Sequence, residues 1–248
     1  MSTRLALVTG GIGGLGTEIC KYLARSGRRV IAADLASRAE RVAEFGKEVA
    51  GFGERIVFEP INVGDFDGCM QAMTLIQQRH GPIDILVNAA GITRDTTLRK
   101  MSAQQWNDVL DINLSGVFNT CRPLIEGMSE RGFGRIVNIS SVNGQTGQFG
   151  QANYSAAKAG MHGFTMALAR EVARKGVTVN SVSPGYCRTA MVAAIPENVR
   201  SQIIAGIPIG RLGEPSEIAR VVDFLCADES GFITGANIPV NGGYFMDF

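Results

Sequence analysis

Ser141, Tyr154 and Lys158 are the residues of this 248-residue chain whose types and spacing best suit proton transfer. Tyr154 and Lys158 are four residues apart, which places both side chains on one face of a helix. A phenol has an ordinary pKa of about 10, and a fixed ammonium group beside it favours the ionised form and lowers that pKa. Ser141 can supply a hydrogen bond to the oxygen whose charge changes. Because this helical spacing also occurs by chance, its weight depends on the segments around it.

A glycine-rich segment, Thr9-Gly-Gly-Ile-Gly-Gly-Leu-Gly16, joins the first predicted strand to the first predicted helix. It fits the pattern G-x-G-x-x-G and, equally well, the pattern T-G-x-x-x-G-x-G. Without Cβ atoms the backbone can approach a pyrophosphate, to which the start of the helix offers unpaired N–H groups. The order of strand, loop and helix therefore predicts a dinucleotide site. The candidate contacts in this loop are Gly10, Gly13, Gly14, Leu15 and Gly16.

Asp34 ends the second predicted strand, at the position where a carboxylate accepts hydrogen bonds from the adenosine ribose of NAD. The same carboxylate would repel the 2′-phosphate of NADP. Arg28 and Arg29 begin that strand and lie about 16 Å away, whereas Arg38 is closer and leaves NADP open. The sequence predicts NAD(H) as the preferred cofactor, with NADP(H) as the alternative. Another interpretation makes Asp34 the cap of the following helix, expected to begin near residue 36.

Further polar residues follow the third and fourth predicted strands, at the edge of a parallel sheet where ligands bind. Asn113 lies inside a predicted helix, where Asn is mildly disfavoured, so we expect it to face the site; the alternative is a solvent-facing side chain. The candidate cofactor contacts after the two strands are Asn62, Val63, Asn88, Ala89 and Gly91.

Short β-branched runs alternate with longer amphipathic stretches along the whole chain. Strands that are apolar on both faces and alternate with helices predict a parallel sheet covered on both sides. The right-handed crossover rule then gives a doubly wound α/β fold of the Rossmann type, with seven strands in a single domain over residues 1–248. The strands are expected at Leu5–Val8, Val30–Ala33, Ile56–Glu59, Ile83–Val87, Arg135–Ile139, Val177–Val182 and Ile238–Val240, and the helices at 15–26, 36–50, 65–80, 102–130, 153–175 and 214–227.

Residues 187–212 interrupt this alternation beyond the carboxyl end of the sixth strand. Ligands bind on that side of such folds, so we interpret the segment as a substrate lid; an ordinary surface helical hairpin is the alternative.

The composition excludes several classes of function. Lys and Arg number 24 against 23 Asp and Glu, so the basic surplus expected for binding nucleic acid or an anionic membrane is missing. No apolar run reaches the roughly 18 residues of a membrane span, and the early first strand leaves no room for a signal peptide. The five widely spaced cysteines predict reduced core residues of a cytoplasmic protein, without a disulfide or metal site.

Taken together, these residues resemble the short-chain dehydrogenase/reductase family over essentially the whole chain, from Thr9 to Gly243. The resemblance implies that Tyr154 donates or accepts the proton, that Lys158 lowers its pKa and holds the nicotinamide ribose, and that Ser141 orients the substrate oxygen. It also implies a water-mediated proton relay through Asn113, cofactor contacts at Pro184 and Gly185, and a homotetramer that buries the apolar tail Tyr244–Phe248.

Within the family, the segments 91–101 and 134–169 are similar to those of the acetoacetyl-CoA reductases of polyhydroxyalkanoate synthesis. The run Gln148-Phe-Gly-Gln151 separates this group from the 3-oxoacyl-carrier-protein reductases, which usually have smaller residues there. Many reductases of the group use NADPH and lack an acid at the end of the second strand, so Asp34 is a departure that concerns the cofactor. The resemblance implies acyl-CoA contacts at Asp95, Lys100, Gln148, Phe149, Gln151 and Tyr186.

The resemblance implies the reduction of acetoacetyl-CoA to (R)-3-hydroxybutyryl-CoA, with Tyr154 as the general acid and a hydride from the nicotinamide. The alternatives are a 3-oxoacyl-carrier-protein reductase, an NAD-dependent secondary-alcohol dehydrogenase and, outside catalysis, an NAD-sensing regulator. Arg94, Arg99 and Lys100 form a basic cluster that could steer the phosphates of coenzyme A; a solvated surface is the alternative for this cluster.

Overall fold

The computed structural model describes residues 3–246, which contain one sheet of seven strands. The strand order is β3-β2-β1-β4-β5-β6-β7, and every pairing is parallel. This order confirms the predicted doubly wound fold. The strands are β1 Leu5–Thr9, β2 Arg29–Asp34, β3 Ile56–Pro60, β4 Ile85–Asn88, β5 Gly134–Ile139, β6 Val177–Pro184 and β7 Asn237–Val240.

Helices cover both faces of the sheet, because successive side chains of each buried strand point to opposite sides. In β1, Ala6 and Val8 join a core cluster with one set of helices, whereas Leu5 and Leu7 join a second cluster on the other face. The helices are α1 Gly14–Arg25, α2 Ala39–Glu48, α3 Phe66–His80, α4 Ala103–Leu110, α5 Gly116–Cys121, α6 Ile125–Glu130, α7 Asn143–Thr146, α8 Ala152–Val172, α9 Ala190–Ala193, α10 Glu197–Ala205 and α11 Pro215–Leu225. The first cluster packs against α1, α2 and α11, and the second against α3, α5 and α8.

The single helix predicted over residues 102–130 is wrong. A π-helical turn, Asp111–Ser115, separates α4 from α5, and α5 ends before Pro123. Proline has no N–H group and clashes with the preceding helical turn. The interruption matters because π-turns inside helices redirect side chains and occur frequently at functional sites.

The helix after β2 begins at Ala39, three residues later than predicted. The Asp34 carboxylate does not cap it; it accepts a hydrogen bond from the Leu35 N–H at 2.8 Å instead. The capping interpretation of Asp34 is therefore wrong, and its carboxylate stays at the carboxyl end of β2.

The segment 187–212 contains α9 and α10 and has a small apolar cluster of its own. Elements that are anchored outside the main core open more easily than the core itself. The cluster consists of buried Val192, Ile207 and Leu212, with Tyr186, Ile195, Ile203, Ile204 and Tyr244 packed against them.

The C-terminal tail packs against this cluster in part. The Tyr244 ring lies edge-on to the Tyr186 ring, with centroids 5.6 Å apart, whereas Met246 is 69% exposed. Asp247 and Phe248 lie outside the described residues, so the predicted burial of the tail against a neighbour stays a prediction. Among the described residues no helix combines the length and apolar character needed to cross a membrane.

Candidate active site

The glycine-rich loop and the start of α1 form a cradle at the carboxyl edge of the sheet. Gly13 precedes α1, and no side chain caps the N–H groups of the first helical turn. A Cβ atom on Gly16 would lie 2.1 Å from the carbonyl oxygen of Gly10, which itself has a φ of +63°. Only glycine allows this close approach of the backbone, and the cradle that results fits a pyrophosphate.

The loop after β4 is held against this cradle. The hydroxyl oxygen of Thr9 accepts hydrogen bonds from the N–H groups of Ala89 at 3.1 Å and Ala90 at 3.2 Å. A Cβ atom on Gly10 would lie 2.8 Å from Ala89 and Ala90 backbone atoms. The segments that follow β1 and β4 therefore form two adjoining walls of one cleft.

The Asn88 side chain, a predicted cofactor contact, is buried in the core. Its amide group donates to Asn138 at 2.9 Å and accepts from the Thr120 hydroxyl at 2.7 Å. The side chain is used in this internal network, and the predicted cofactor contact of Asn88 stays a prediction. Asn62 and Val63 follow β3 at the same edge, where the Asn62 side chain accepts from the Gly64 N–H at 3.1 Å.

Asp34 forms an ion pair with Arg38, with 2.9 Å between Oδ2 and Nη1. The Arg38 side chain remains 44% exposed. Arg28 is paired with Asp223 of α11, and Arg29 donates to a main-chain carbonyl at the far end of the sheet. As the strand geometry predicted, Arg38 is the cation near Asp34, and the other two are engaged elsewhere.

Tyr154 and Lys158 lie on α8, and Tyr154 faces Ser141, which follows β5. A hydrogen bond with Ser141 lowers the pKa of Tyr154, but burial has the larger effect and raises it above the ordinary value. Burial also lowers the pKa of Lys158 to about 8. Lys158 Nζ lies 5.6 Å from the Tyr154 ring centroid and donates to the Ile139 carbonyl at 2.7 Å. Burial has the largest effect on the Tyr154 pKa, and the expected lowering of that pKa by Lys158 stays a prediction.

The π-helical turn places Asn113 inside the site. Its side chain is fully buried, donates to the carbonyls of Ile92 and Val109 at 2.9 Å each, and accepts from the Ile92 N–H at 3.2 Å. A Cβ atom on Gly91 would lie 2.5 Å from Asn113 Oδ1 and 3.7 Å from Lys158 Nζ. The solvent-facing alternative for Asn113 is therefore wrong. Asn113 and Lys158 both lie close to Gly91.

Two segments that carry predicted substrate contacts are joined at the mouth of the cleft. Gln151 Nε2 donates to Asp95 Oδ2 at 2.8 Å, and the Thr96 N–H donates to the Gly150 carbonyl at 2.8 Å. Phe149 is 88% exposed between them. The predicted substrate contact of Phe149 stays a prediction.

The remaining substrate candidates surround this mouth. Gln148 and Lys100 are exposed, as is Arg94, which forms an ion pair with Asp108 at 3.4 Å. Tyr186 is half-buried beneath the segment 187–212. Pro184 and Gly185 end β6 at the same edge of the sheet, where a Cβ atom on Gly185 would lie 2.8 Å from Asn241.

Residues 4–200 match the family described as short chain dehydrogenase. The chain belongs to the short-chain dehydrogenase family. An acetoacetyl-CoA reductase of Allochromatium vinosum is 57% identical over 243 residues, which cover 98% of this chain and 99% of that protein. An acetoacetyl-CoA reductase of Cupriavidus necator is 51% identical, with coverage of 99% and 100%.

A solved structure described as "Crystal structure of gox2181" shares the fold. The TM-score is 0.92 at 34% sequence identity, and the match covers 98% of this chain and 96% of that chain. The seven-stranded sheet and its cleft are therefore those of a short-chain dehydrogenase, an oxidoreductase that uses NAD(P)(H).

Sequence reasoning missed Asn153, which fixes the start of α8 in this short-chain dehydrogenase. The Asn153 side chain is fully buried, donates to the carbonyls of Arg94 at 3.3 Å and Gln105 at 3.0 Å, and accepts from the Tyr154 N–H at 2.8 Å. It thereby ties the residue before Tyr154 to the loop after β4. Its place beside Tyr154 in the sequence was the available signal.

Thr189 was missed as well. It is the third residue of the segment 187–212 and lies 3.8 Å from where a Cβ atom on Gly14 would be, so the start of this segment adjoins the glycine-rich loop. His162 is half-buried, with Nε2 3.3 Å from the Ser183 hydroxyl. Within residues 3–246 no group of three or more His, Cys, Asp or Glu side chains could hold a metal ion.

Proposed function

We propose that this short-chain dehydrogenase reduces acetoacetyl-CoA to (R)-3-hydroxybutyryl-CoA. The observation that carries the proposal is the Gln151–Asp95 hydrogen bond of 2.8 Å, which joins the two segments of the proposed acyl-CoA surface at the mouth of the cleft. Full-length identity of 57% to a protein named acetoacetyl-CoA reductase supports it. Phe149 then covers the apolar part of the acyl arm, and Lys100 lies near its phosphates.

The residues of the cleft divide the chemistry among them. The glycine-rich loop and Lys158 would hold a nicotinamide cofactor, which would supply the hydride for C3 of the substrate. The Ser141 hydroxyl hydrogen-bonds the C3 carbonyl oxygen, and the Tyr154 hydroxyl donates its proton to that oxygen, so the carbonyl becomes an alcohol. A general acid of this kind contributes about 10²- to 10⁴-fold to the rate.

Lys158 and Asn113 restore the proton that Tyr154 gives up. Because burial lowers the pKa of Lys158 to about 8, its ammonium group releases a proton more readily than an exposed lysine does. Among the described residues its Nζ donates to the Ile139 carbonyl alone, which leaves donors for the nicotinamide ribose. Asn113 lies beside it and supports a relay through water.

NADH is the preferred cofactor of the proposed reaction. Asp34 accepts hydrogen bonds from the ribose hydroxyls and repels a 2′-phosphate, and its pairing with Arg38 reduces that residue's ability to bind the phosphate. Substitution Asp34→Ser should release Arg38 and raise kcat/KM for NADPH about tenfold, which is one charge-assisted hydrogen bond. A wild-type kcat/KM that is higher with NADPH than with NADH would reverse the assignment.

The segment 187–212 acts as the substrate lid. It has its own apolar cluster, adjoins the glycine-rich loop at Thr189, and carries Tyr186 at its base.

The basic cluster supplies a second test of the substrate: Lys100→Ala should raise KM for acetoacetyl-CoA and leave KM for a small neutral ketone unchanged. Equal effects on both substrates would count against phosphate steering by Lys100.

The protein assembles as a homotetramer in the cytoplasm. Large apolar side chains are exposed on several helices, including Phe118 at 46% and Met166 at 53%, and burial against another copy would remove them from water. The five free and buried cysteines suit a reducing compartment. Light scattering should give four times the 26.4 kDa chain mass; a monomer would contradict the assembly.

The decisive experiment follows absorbance at 340 nm with acetoacetyl-CoA, using NADH and NADPH in parallel. Fast oxidation of NADH supports the substrate and the cofactor assignment together. Oxidation of NADPH alone keeps the substrate and overturns the role of Asp34. Absence of a rate with either cofactor overturns the proposed function; 3-oxoacyl-carrier-protein and secondary alcohols are then the substrates to measure, and binding of NAD without any turnover would indicate a regulator.

A further inference from the structure

Three polar side chains form a continuous chain of hydrogen bonds that ends at Ser141. Gln151 Nε2 lies 2.8 Å from Asp95 Oδ2, and Gln151 Oε1 lies 2.9 Å from Asn143 Nδ2. The main-chain N–H of Asn143 donates to the Ser141 hydroxyl oxygen at 3.1 Å. The chain therefore connects the mouth of the cleft, at Asp95, with the hydroxyl that faces Tyr154.

The carboxylate of Asp95 determines which group donates and which accepts in each hydrogen bond of this chain. An ionised carboxylate only accepts hydrogen bonds, so the Gln151 amide must present its NH₂ group to Asp95. Its carbonyl oxygen then faces Asn143, which must donate through Nδ2. Asn143 Oδ1 is the atom left over, and it cannot exchange places with Nδ2 without breaking the chain.

That remaining oxygen is buried and has no hydrogen-bond partner among the described residues. Asn143 is only 9% exposed, so the unpartnered oxygen costs stability. An apolar side chain of similar size would fill the position without that cost. Buried polar groups that lack a partner call for a functional explanation, and the side-chain hydrogen bond to Gln151 supplies one.

We propose that Asn143 is a positioning residue for the substrate end of the site. Its side chain fixes the orientation of Gln151 and Asp95, and its main-chain N–H fixes the Ser141 hydroxyl, so the groups that hold the acyl arm and the carbonyl oxygen keep one mutual orientation. The substrate side of this inference rests on the proposed reduction of acetoacetyl-CoA. The hydrogen-bond chain itself is a property of the protein and is testable without turnover.

A reversal of polarity tests the proposal. In Asn143→Asp the introduced carboxylate cannot donate to Gln151, so Gln151 lies between two acceptors. Adding Asp95→Asn lets the whole chain run in the opposite direction: residue 95 donates to Gln151 Oε1, and Gln151 Nε2 donates to the carboxylate at 143. The double variant keeps both the number of hydrogen bonds and the net charge of the wild type.

We expect Asn143→Asp to lower kcat/KM for acetoacetyl-CoA at least about tenfold, the effect of one misdirected hydrogen bond, through both a lower kcat and a higher KM. The double variant should recover most of that loss. The Kd for NADH, followed by its fluorescence, should change little in either variant, whereas general damage to the fold would weaken cofactor binding too. Asn107→Asp, at an exposed position of α4, is the control for the added charge.

Several results would overturn the proposal: a wild-type kcat/KM in Asn143→Asp, a double variant no better than the single one, or an equal loss in Asn107→Asp. If the wild type reduces another carbonyl compound but not acetoacetyl-CoA, the proposed function fails, and the same variants are compared with that compound. Urea unfolding of the wild type, both single variants and the double variant measures the coupling between positions 95 and 143 without substrate. Absence of coupling would refute the chain even in an inactive protein.

Discussion

Lys158 Nζ lies 5.6 Å from the centre of the Tyr154 ring and directs a hydrogen bond of 2.7 Å away from it, to the carbonyl oxygen of Ile139. The pair shares one helix face, but the ammonium group is anchored to β5. Burial brings the pKa of Lys158 down to about 8 and keeps the pKa of Tyr154 above its ordinary value. The lysine is therefore the group of this pair whose charge changes nearest to neutral pH.

Removal of the Tyr154 hydroxyl should abolish turnover and spare cofactor binding. In Tyr154→Phe the aromatic ring is kept, and the proton donor is lost, so kcat should fall about 10²- to 10⁴-fold. NADH fluorescence titration should give a Kd near that of the wild type. Tyr22→Phe, in the last turn of α1, is the matched control, and near-normal turnover in Tyr154→Phe would rule out its role as the acid.

Of two glycine-to-alanine substitutions, one should weaken cofactor binding and the other should stabilise the fold. Gly16→Ala would place a Cβ atom 2.1 Å from the Gly10 carbonyl oxygen, so the cradle must distort, and we expect at least about tenfold weaker NADH binding, the equivalent of one lost hydrogen bond. A Cβ atom on Gly46, in helix α2, meets nothing within 4 Å, and alanine there should stabilise the protein by roughly 0.5–1 kcal/mol. Isothermal titration and urea unfolding measure the two effects; normal NADH binding by Gly16→Ala would contradict the assignment of this loop.

The buried Lys158 should make stability depend on pH in a defined direction. Its pKa falls from the ordinary 10.5 to about 8 on folding, so between these values the unfolded chain binds more protons than the folded one. The unfolding free energy attributable to Lys158 must then rise with pH in that range. Relative to Lys158→Met, the wild type should gain about 2 kcal/mol between pH 7.5 and 9.5.

Urea unfolding of both proteins at each pH measures this difference, and groups common to the two proteins cancel. A difference that stays flat or falls with rising pH would show that the lysine keeps an ordinary pKa.

Cys187 should report opening of the lid. It lies at the start of the segment 187–212, forms a bridge with Gly213 at the other end, and is 7% exposed, whereas the other four cysteines are at most 2% exposed. Burial raises the pKa of the Cys187 thiol to about 11, so reaction with a thiol reagent needs a transient opening. At pH 8 one thiol should react before the rest, and NADH should slow that reaction. Cys187→Ser should remove this phase; an unchanged fast phase would place the mobile segment elsewhere.

The chemistry-bearing pattern was predictable because it is local. The glycine-rich loop spans eight residues, and Tyr154 and Lys158 lie one helical turn apart. Each strand is indicated by its own apolar run. Local spacing sets backbone conformation and helix face before any long-range contact forms. The doubly wound sheet and the catalytic face of α8 followed from the sequence for this reason.

Long-range packing decided the features of the site that local spacing does not determine. Asn88 turns into the core because Asn138 and Thr120, 50 and 32 residues away, satisfy its amide. The pKa of Tyr154 depends on how deeply the folded chain buries it, which no spacing reveals. The hydrogen-bond chain from Asp95 to Asn143 joins segments that only the sheet brings together. Sequence alone determined which groups are present at the carboxyl edge of the sheet. The tertiary structure decided which of them point into the cleft, because burial and hydrogen-bond satisfaction are properties of the whole packed chain.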